Sequence, residues 1–205
     1  MKRICKVSIM SIIAGCLLMV SGLCSAAEES SPGKTLILYY SRTGNTQAAC
    51  EVLQKELGAD IQEIKDLNSR DTKFGMIAGM LKTIMGMQTD IEPESVAVES
   101  YDTFIISAPI WASKFGLAMR TFVERNSFQG KKVIIFITAD SFVEEEYQQK
   151  HAALLTESGG KVAGHFQVQA MDVVDNEKVP RTKEKIVEET MKLVTDIKAC
   201  IAGEK

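Results

Sequence analysis

The chain has 205 residues, of which 45% are hydrophobic and 25% are charged, with 14 Gly and 4 Pro. This composition is typical of one globular domain and excludes a disordered, collagen-like or multi-domain protein. The formal net charge of −3 and the pI near 5.6 argue against nucleic-acid binding, which needs a basic excess on one face.

The N-terminal residues 1–27 have the pattern of a secretory signal peptide. Three basic residues precede an uncharged stretch over residues 7–27, which ends in small side chains. Because signal peptidase requires small residues just before the cut, we expect cleavage after Ala26 or Ala27. This pattern predicts export to the periplasm or another extracytoplasmic site.

Two other interpretations of this segment stay open. The sequence Ile13-Ala14-Gly15-Cys16 resembles a lipobox in which Cys16 carries the lipid, although the apolar run over residues 17–23 is unusual after such an anchor. The stretch of about 20 uncharged residues could also just span a bilayer as an uncleaved anchor. Each interpretation places the following domain outside the cytoplasm.

Removal of the signal leaves a short leader, residues 28–33, and one domain, residues 34–205. The three basic residues leave with the signal, so 21 Lys and Arg remain against 27 Asp and Glu, a charge of −6. Cys50 and Cys200 are then the remaining cysteines, too few for a disulfide framework or a metal cluster. Their helical positions separate them by about 30 Å, so we expect two free thiols.

The mature sequence predicts alternating strands and helices, as in βαβ units. The first, third and fourth strands are almost continuously apolar, which predicts burial on both faces, whereas the second and fifth carry polar residues and are predicted as edges. The fold class is therefore α/β, with a five-stranded parallel sheet in the order 2-1-3-4-5 and a crevice at the carboxyl ends of strands one and three. The predicted strands are residues 35–40, 59–65, 103–108, 132–138 and 162–169.

Apolar residues at helical spacing predict helices that each place one face on the sheet, for example around residues 49–57, 115–122 and 187–201. Ser141 and Glu144 have the spacing of a capping box, which predicts that the fourth helix begins just after the fourth strand.

The second connection, between the second and third strands, differs from the others. Its apolar spacing is interrupted by glycines, so we expect a short, loosely held helix and a long loop. Four methionines lie in it: Met76, Met80, Met85 and Met87. They either pack onto the sheet or form an adaptable wall beside a ligand or partner.

The strongest chemical signal is Ser41-Arg42-Thr43-Gly44-Asn45-Thr46, between the first predicted strand and helix. Such a loop directs backbone N–H groups and hydroxyls to one point above a helix N-terminus, where a phosphate is stabilised. The sequence contains neither G-x-x-x-x-G-K-[ST] nor G-x-G-x-x-G, which argues against a nucleoside triphosphate and a tightly bound dinucleotide. A monophosphate fits better; the alternative is a turn that only caps the helix.

The run YYSRTGNT resembles the FMN phosphate loop of the flavodoxin family, [ST]-x-T-G-x-T after the first strand. A second block, Ser107-Ala108-Pro109-Ile110-Trp111-Ala112-Ser113, resembles the subgroup whose loop carries P-x-W-A beside the isoalloxazine ring. The resemblance covers roughly residues 34–202. It implies a flavodoxin-like three-layer sandwich of the short-chain form, which binds FMN non-covalently.

The resemblance also implies roles for individual residues. The phosphate would be held by Ser41, Thr43, Gly44, Asn45 and Thr46, with Arg42 in the same loop. The ring would be lined by Pro109, Ile110, Trp111 and Ala112, flanked by Ala108 and Ser113. The third flavin loop would begin at Thr138, Ala139 and Asp140.

Four residues near the flavin would tune its potential. Stacking on Trp111 would stabilise the oxidised ring and lower the first potential; alternatively, Trp111 only fills the edge of the core. Asp140 would disfavour negative charge on the reduced ring, whereas Arg42 and Lys114 would act in the opposite sense. Alternatively, Asp140 and Ser141 only cap the fourth helix.

Other chemistry has weaker support in the sequence. His151 and His165 lack Cys or carboxylate partners at metal-ligand spacing, so a zinc site is not expected. The acidic run Glu144-Glu145-Glu146 is either a solvated helix start or part of a docking face for a basic redox partner.

We therefore expect an exported, FMN-binding electron-transfer protein that carries one or two electrons between redox partner proteins in the cell envelope. Such a carrier would be a monomer and would meet the membrane only through an N-terminal anchor. Two alternatives stay open: an FMN-dependent NAD(P)H:quinone reductase, which would be oligomeric, and a flavin-free binding module.

Overall fold

The computed structural model describes residues 33–68 and 73–203, which form ten strands, five α-helices and one short 3-10 helix, Val98–Ser100. The predicted signal, residues 1–27, lies outside these ranges. The strands are β1 (Thr35–Tyr39), β2 (Asp60–Glu63), β3 (Lys65–Asp66), β4 (Ile91–Glu92), β5 (Thr103–Trp111), β6 (Lys114–Phe115), β7 (Lys132–Ala139), β8 (Lys161–Gln169), β9 (Met171–Val174) and β10 (Glu177–Pro180). The helices are α1 (Asn45–Leu57), α2 (Lys73–Ile84), α3 (Leu117–Arg125), α4 (Glu145–Glu157) and α5 (Lys183–Ala202).

Five strands form a parallel sheet in the order β2-β1-β5-β7-β8, which confirms the predicted order and both predicted edges. Ile61, Ile37, Ile105 and Ile134 stand in register on its first four strands. Branched side chains pack closely on a pleated surface, so this row forms a continuous apolar stripe across the sheet.

Helices cover both faces of the sheet, which confirms the α/β fold class. Leu53 of α1 and Ile197 of α5 are buried on the face that carries the isoleucine row. Phe122 of α3 and Leu155 of α4 are buried on the opposite face. Alternate residues of each central strand therefore enter separate cores. Within the described ranges, none of the helices has both the length and the apolar character needed to cross a bilayer.

Three short antiparallel pairs extend the fold beyond the predicted elements. β3 pairs with β4, β6 pairs with the end of β5, and β9 pairs with β10. The last pair turns at Asp175 and Asn176, whose φ angles of 51° and 66° are left-handed, as in the tightest hairpin turns. Because β9 and β10 bury few side chains, their sequence has little of the alternation that predicts a strand.

The predicted capping box at the start of the fourth helix is wrong. Helix α4 begins at Glu145, its N-cap is Glu144, and no side chain caps it. The segment before it is held by Gln167 of β8 instead, which accepts a hydrogen bond from Val143 N–H at 3.0 Å and donates one to the Ser141 carbonyl at 3.0 Å. The tertiary contact to β8 therefore overrides the local capping pattern.

The second connection contains a helix of 12 residues, α2, with an exposed apolar surface. The prediction that the methionines of this connection pack onto the sheet is wrong for Met80, Met85 and Met87, which are 40%, 72% and 46% exposed. The side chain of Met76 lies outside the described part of the chain. The end of α2 is held by Arg120, whose Nη1 donates to the Thr83 carbonyl at 2.8 Å.

The two cysteines of the domain are free and buried, as predicted. Burial raises the pKa of the Cys50 thiol to about 12, so this thiol stays protonated at neutral pH and is a poor nucleophile. Cys50 and Cys200 therefore act as small apolar residues beneath the sheet.

Leu53→Ala tests the packing of α1 on the sheet. The Leu53 side chain is 0% exposed, and its truncation should lower the free energy of unfolding by about 3 kcal/mol through lost transfer energy and a cavity. Urea unfolding followed by circular dichroism measures the change. Glu51→Ala, at an exposed position of the same helix, should change it by less than about 0.5 kcal/mol. Equal effects of the two variants would contradict this packing.

Candidate functional site

The loop between β1 and α1 leads into a helix N-terminus that no side chain caps. Its N-cap, Gly44, has a left-handed φ of 85°, which glycine adopts without steric cost, and its N–H donates to Ser41 Oγ at 3.1 Å. The first N–H groups of an α-helix have no intrahelical acceptor. Asn45, Thr46 and Gln47 therefore present donors at the positive end of the helix dipole, an arrangement suited to an anion.

Thr46 joins this loop to the loop after β7. Its Oγ1 lies 2.8 Å from the Oγ1 of Thr138, and both side chains are buried. The two hydroxyls thereby set the spacing between the start of α1 and the end of β7. The side chain of Thr46 is thus engaged within the protein, while its backbone N–H belongs to the uncapped turn.

The loop after β5 is a tight hairpin with strained backbone. It turns at Ala112 and Ser113, whose φ angles of 46° and 62° are left-handed and cost roughly 1 kcal/mol or more per residue. Gly116 N–H closes the hairpin by donating to the Pro109 carbonyl at 2.8 Å. The ring of Trp111 contacts the ring of Tyr40 edge to face, with centroids 5.8 Å apart.

His151 of α4 supports this hairpin, and His165 of β8 lies against His151. Nε2 of His151 lies 2.9 Å from the Ser113 carbonyl oxygen, so this nitrogen carries a hydrogen and donates. Nδ1 of the neutral ring then accepts, and Nε2 of His165 lies 3.4 Å from it. The His151 ring also stacks on Phe115 at 4.7 Å.

The surroundings of the histidine pair keep both rings uncharged at neutral pH. Burial lowers the pKa of His151, against the opposing effect of its bond to Ser113. Burial, and then the neighbouring His151, lowers the pKa of His165 to about 4. No local sequence pattern predicts this pair, because only the packing of α4 against β8 brings the two rings together.

A cavity of about 620 Å³ opens at the carboxyl ends of β1, β5 and β7, the edge of the sheet where a crevice was predicted. Most of the predicted site residues line it. They are Arg42, Thr43, Asn45 and Thr46 of the first loop, Pro109, Ile110, Trp111 and Ala112 of the second, and Thr138, Ala139 and Asp140 of the third.

Four predicted site residues do not line the cavity but support it. Ser41 and Gly44 shape the first loop through their hydrogen bond. Ala108 is fully buried in the core, and the carbonyl of Ser113 is bound by His151. Trp111 is half-buried: it packs against the core and also lines the cavity. It therefore fills the edge of the core and is also available to a ligand in the cavity.

The far wall of the cavity consists of Met80, which the sequence offered as part of an adaptable wall, and of residues that the sequence did not single out. Met80 comes from α2, and the others come from the hairpin of β9 and β10 and its flanks: Ala170, Met171, Pro180 and Arg181. The Met80 position agrees with the hypothesis of an adaptable wall. The turn residues Asp175 and Asn176 were the available signal for the hairpin.

Arg181 anchors this hairpin to the end of β8 and to α5. Its Nε donates to Asp172 at 2.8 Å, its Nη2 donates to Gln169 at 2.9 Å, and its Nη1 forms an ion pair with Glu189. The Arg181 side chain is 9% exposed, whereas its partners Asp172 and Glu189 are 28% and 30% exposed, so the arginine is the most shielded member of the network.

The three charged residues that were expected to act on the flavin potential differ in their positions. Arg42 and Asp140 line the cavity, whereas the ammonium of Lys114 donates to the carbonyls of Thr83 and Ile84 at the end of α2. Lys114 is therefore not placed to act on a ligand in the cavity. The hypothesis that Asp140 only caps α4 is wrong, because that helix begins at Glu145.

A sequence model of the flavodoxin family matches residues 34–166 of the chain, which is more than half of its length. The chain belongs to the flavodoxin family. This assignment confirms the family resemblance carried by the first two loops, and FMN is the cofactor that it implies. No curated protein matches this flavodoxin.

Solved structures show the same fold. A flavoprotein from Lactobacillus acidophilus NCFM, solved in complex with FMN, is 21% identical over 66% of this chain and 93% of that chain, with a TM-score of 0.54. A protein assigned as a flavoprotein from Bacteroides uniformis ATCC 8492 is 22% identical over 78% and 98%, with a TM-score of 0.56. One from Bacteroides eggerthii DSM 20697 is 23% identical over 80% and 98%, with a TM-score of 0.50. At these identities the likeness concerns the fold alone.

His165→Gln tests the linkage between the histidine pair and stability. The folded pKa of His165 is about 4, below the unfolded value of about 6.5, so in this window the unfolded chain binds a proton that the folded chain does not. Stability from the neutral ring is therefore present above pH 6.5 and is lost as the pH falls towards 4.

Between these pH values the wild type should lose on the order of 2 kcal/mol more unfolding free energy than His165→Gln, whose amide keeps a donor for His151. Urea titrations at pH 7 and at pH 4.5 measure the difference. Parallel pH dependence in the two proteins would contradict the buried, neutral state of His165.

Proposed function

We propose that this flavodoxin binds FMN non-covalently in the cavity and transfers one or two electrons between redox partners. The observation that carries the proposal is that one cavity joins an uncapped helix N-terminus, suited to a phosphate, to a loop with a tryptophan, suited to a flat ring. The volume of about 620 Å³ lies within the range of small-ligand sites.

The first loop supplies the donors at the phosphate end. Ser41 Oγ already accepts a bond from Gly44 N–H, so its own hydrogen is left to donate to an anion. The N–H groups of Asn45 and Thr46 belong to the uncapped first turn of α1, where the dipole favours negative charge. These groups fit a phosphate monoester without any metal ion.

The second and third loops surround the ring end. Bound FMN supplies the electron-transfer chemistry itself, and the protein sets its potential. Trp111 presents an electron-rich surface that favours the oxidised ring. The carboxylate of Asp140 disfavours negative charge there, and Arg42 opposes this effect. Arg181 contributes less, because two carboxylates neutralise its guanidinium.

We also propose that the protein acts outside the cytoplasm, between redox proteins of the cell envelope. The support is the basic start and uncharged stretch of residues 1–27, which lie outside the described residues. The acidic run Glu144–Glu146 at the start of α4 supports docking of a basic partner.

The deciding experiment is to incubate the purified protein with FMN, remove free flavin by desalting, and record the visible spectrum. Retained flavin that is reduced in single-electron steps, without oxidation of NAD(P)H, supports the carrier. Oxidation of NAD(P)H coupled to quinone reduction by an oligomer would identify a quinone reductase instead. A colourless protein that does not quench FMN fluorescence would overturn both redox functions and leave the binding module.

Gly44→Ala tests the phosphate end, with Gly58→Ala as the matched control at the other end of α1. Both glycines are left-handed, with φ of 85° and 62°, so both variants should lose about 1 kcal/mol of unfolding free energy. A methyl group on Gly44 would lie 2.8 Å from Lys183 Nζ, whereas nothing lies within 4 Å of one on Gly58.

Only Gly44→Ala should therefore bind FMN more weakly, by about tenfold. Fluorescence titration measures the affinity, and urea unfolding measures the stability. Equal FMN affinities for the two variants would place the phosphate elsewhere.

Trp111→Leu tests the ring end. Loss of the π surface should weaken FMN binding by about tenfold and raise the potential of the first reduction step. Trp111→Phe, which keeps a smaller aromatic face, should fall between the wild type and Trp111→Leu in both quantities. A spectroelectrochemical titration checks the potentials, and a first potential that is equal in all three proteins would mean that Trp111 does not contact the ring.

A further inference from the structure

We infer that Lys183, the first residue of α5, is a specificity residue that binds the flavin phosphate and selects the phosphorylated flavin over the unphosphorylated one. The inference rests on the proposed function and adds to it a residue outside every motif of the family resemblance. Three independent features of the structure carry it: the place of the ammonium group, its lack of an acidic partner, and the local field.

The ammonium group of Lys183 lies beside the phosphate loop. A methyl group built on Gly44 would stand 2.8 Å from Lys183 Nζ and 3.2 Å from its Cε. Gly44 is the N-cap of α1, so the cation lies at the point where the uncapped N–H groups of that helix begin. The missing side chain of glycine is what makes room for it.

Lys183 differs from the cations on either side of it. Arg181 pairs with Asp172 at 2.8 Å, and Lys185 pairs with the same carboxylate at 2.8 Å. Among the described residues, no carboxylate forms an ion pair with Lys183. Its nearest acidic neighbour in the chain, Glu184, has a lowered pKa mainly through its own backbone N–H and the Thr182 hydroxyl, and the charge of Lys183 makes a smaller contribution.

The local field at Lys183 is unfavourable for a cation without an anion. Lys183 lies in the first turn of α5, whose N-cap is Thr182, and positive charge at a helix N-terminus is destabilising. The uncapped N-terminus of α1 adds a second positive dipole end at the same place. Lys185 is compensated by Asp172, and a bound dianion would compensate Lys183.

The chemistry that this arrangement recognises is a phosphate monoester. A lysine ammonium acts as a point charge with three donors, and its bond to a phosphate oxygen is charge-assisted. Riboflavin has the same ring and ribityl chain without the phosphate, so Lys183 should contribute nothing to its binding. The contribution to FMN should also weaken as the salt concentration rises.

The test compares the affinities of FMN and riboflavin, measured by flavin fluorescence titration at low and at high salt. For Lys183→Met we expect FMN binding about tenfold weaker than in the wild type, with unchanged riboflavin binding and a smaller salt dependence. Lys183→Arg, which keeps the charge, should restore most of the FMN affinity. Lys185→Met, two positions along the same helix, should leave FMN affinity within about twofold of the wild type.

The outcomes separate this inference from the proposed function. If the wild type binds FMN and Lys183→Met binds it equally well, the role of Lys183 is overturned and the flavin function stands. If Lys183→Met weakens FMN and riboflavin by the same factor, Lys183 is structural and the inference also fails. If the wild type binds neither flavin, the proposed function fails and this inference fails with it. Thermal unfolding of each variant confirms that it is folded.

Discussion

The burial of a parallel sheet on both faces is the constraint on which the rest of this structure depends. The central strands β1, β5 and β7 carry apolar side chains on both sides, so helices must cover both faces. Each helix that connects two parallel strands then begins near the carboxyl ends of the strands. The loops that follow β1, β5 and β7 meet at this edge and enclose the cavity, because a parallel sheet has no other place where its strand-to-helix loops converge.

The cavity combines two kinds of stabilisation at its opposite ends. At one end, the dipole and the uncapped N–H groups of α1 face the cavity, and the first turn of this helix contains no acidic residue. The hydrogen bond between Thr46 and Thr138 sets the distance between the first and third loops there. At the other end, the strained turn of the β5 and β6 hairpin is held by the neutral His151. Preorganised donors suit a charged group, and a rigid aromatic loop suits a flat one, so the two ends fit different parts of one ligand.

The hairpin of β9 and β10 connects the cavity to α5. Arg181 binds Asp172 within the hairpin and Glu189 on the helix, so the far wall of the cavity and the start of α5 are positioned together. Asp172 also pairs with Lys185. This network neutralises the cations on both sides of Lys183 and leaves the charge of Lys183 beside Gly44. Arg181 thereby holds the far wall of the cavity against the helix that carries Lys183.

The sequence by itself determined the α/β class, the strand order and the first two loops, because these follow from local patterns: continuous apolar runs, helical spacing and the S-x-T-G-x-T and P-x-W-A motifs. Tertiary structure decided the rest. The start of α4 follows from Gln167 on a distant strand rather than from Ser141. The His151 and His165 pair, the far wall at Arg181 and the place of Lys183 arise from contacts between segments that carry no shared local pattern. Periodicity shows which face of an element is buried, but which side chains meet across the packed elements depends on the three-dimensional arrangement alone.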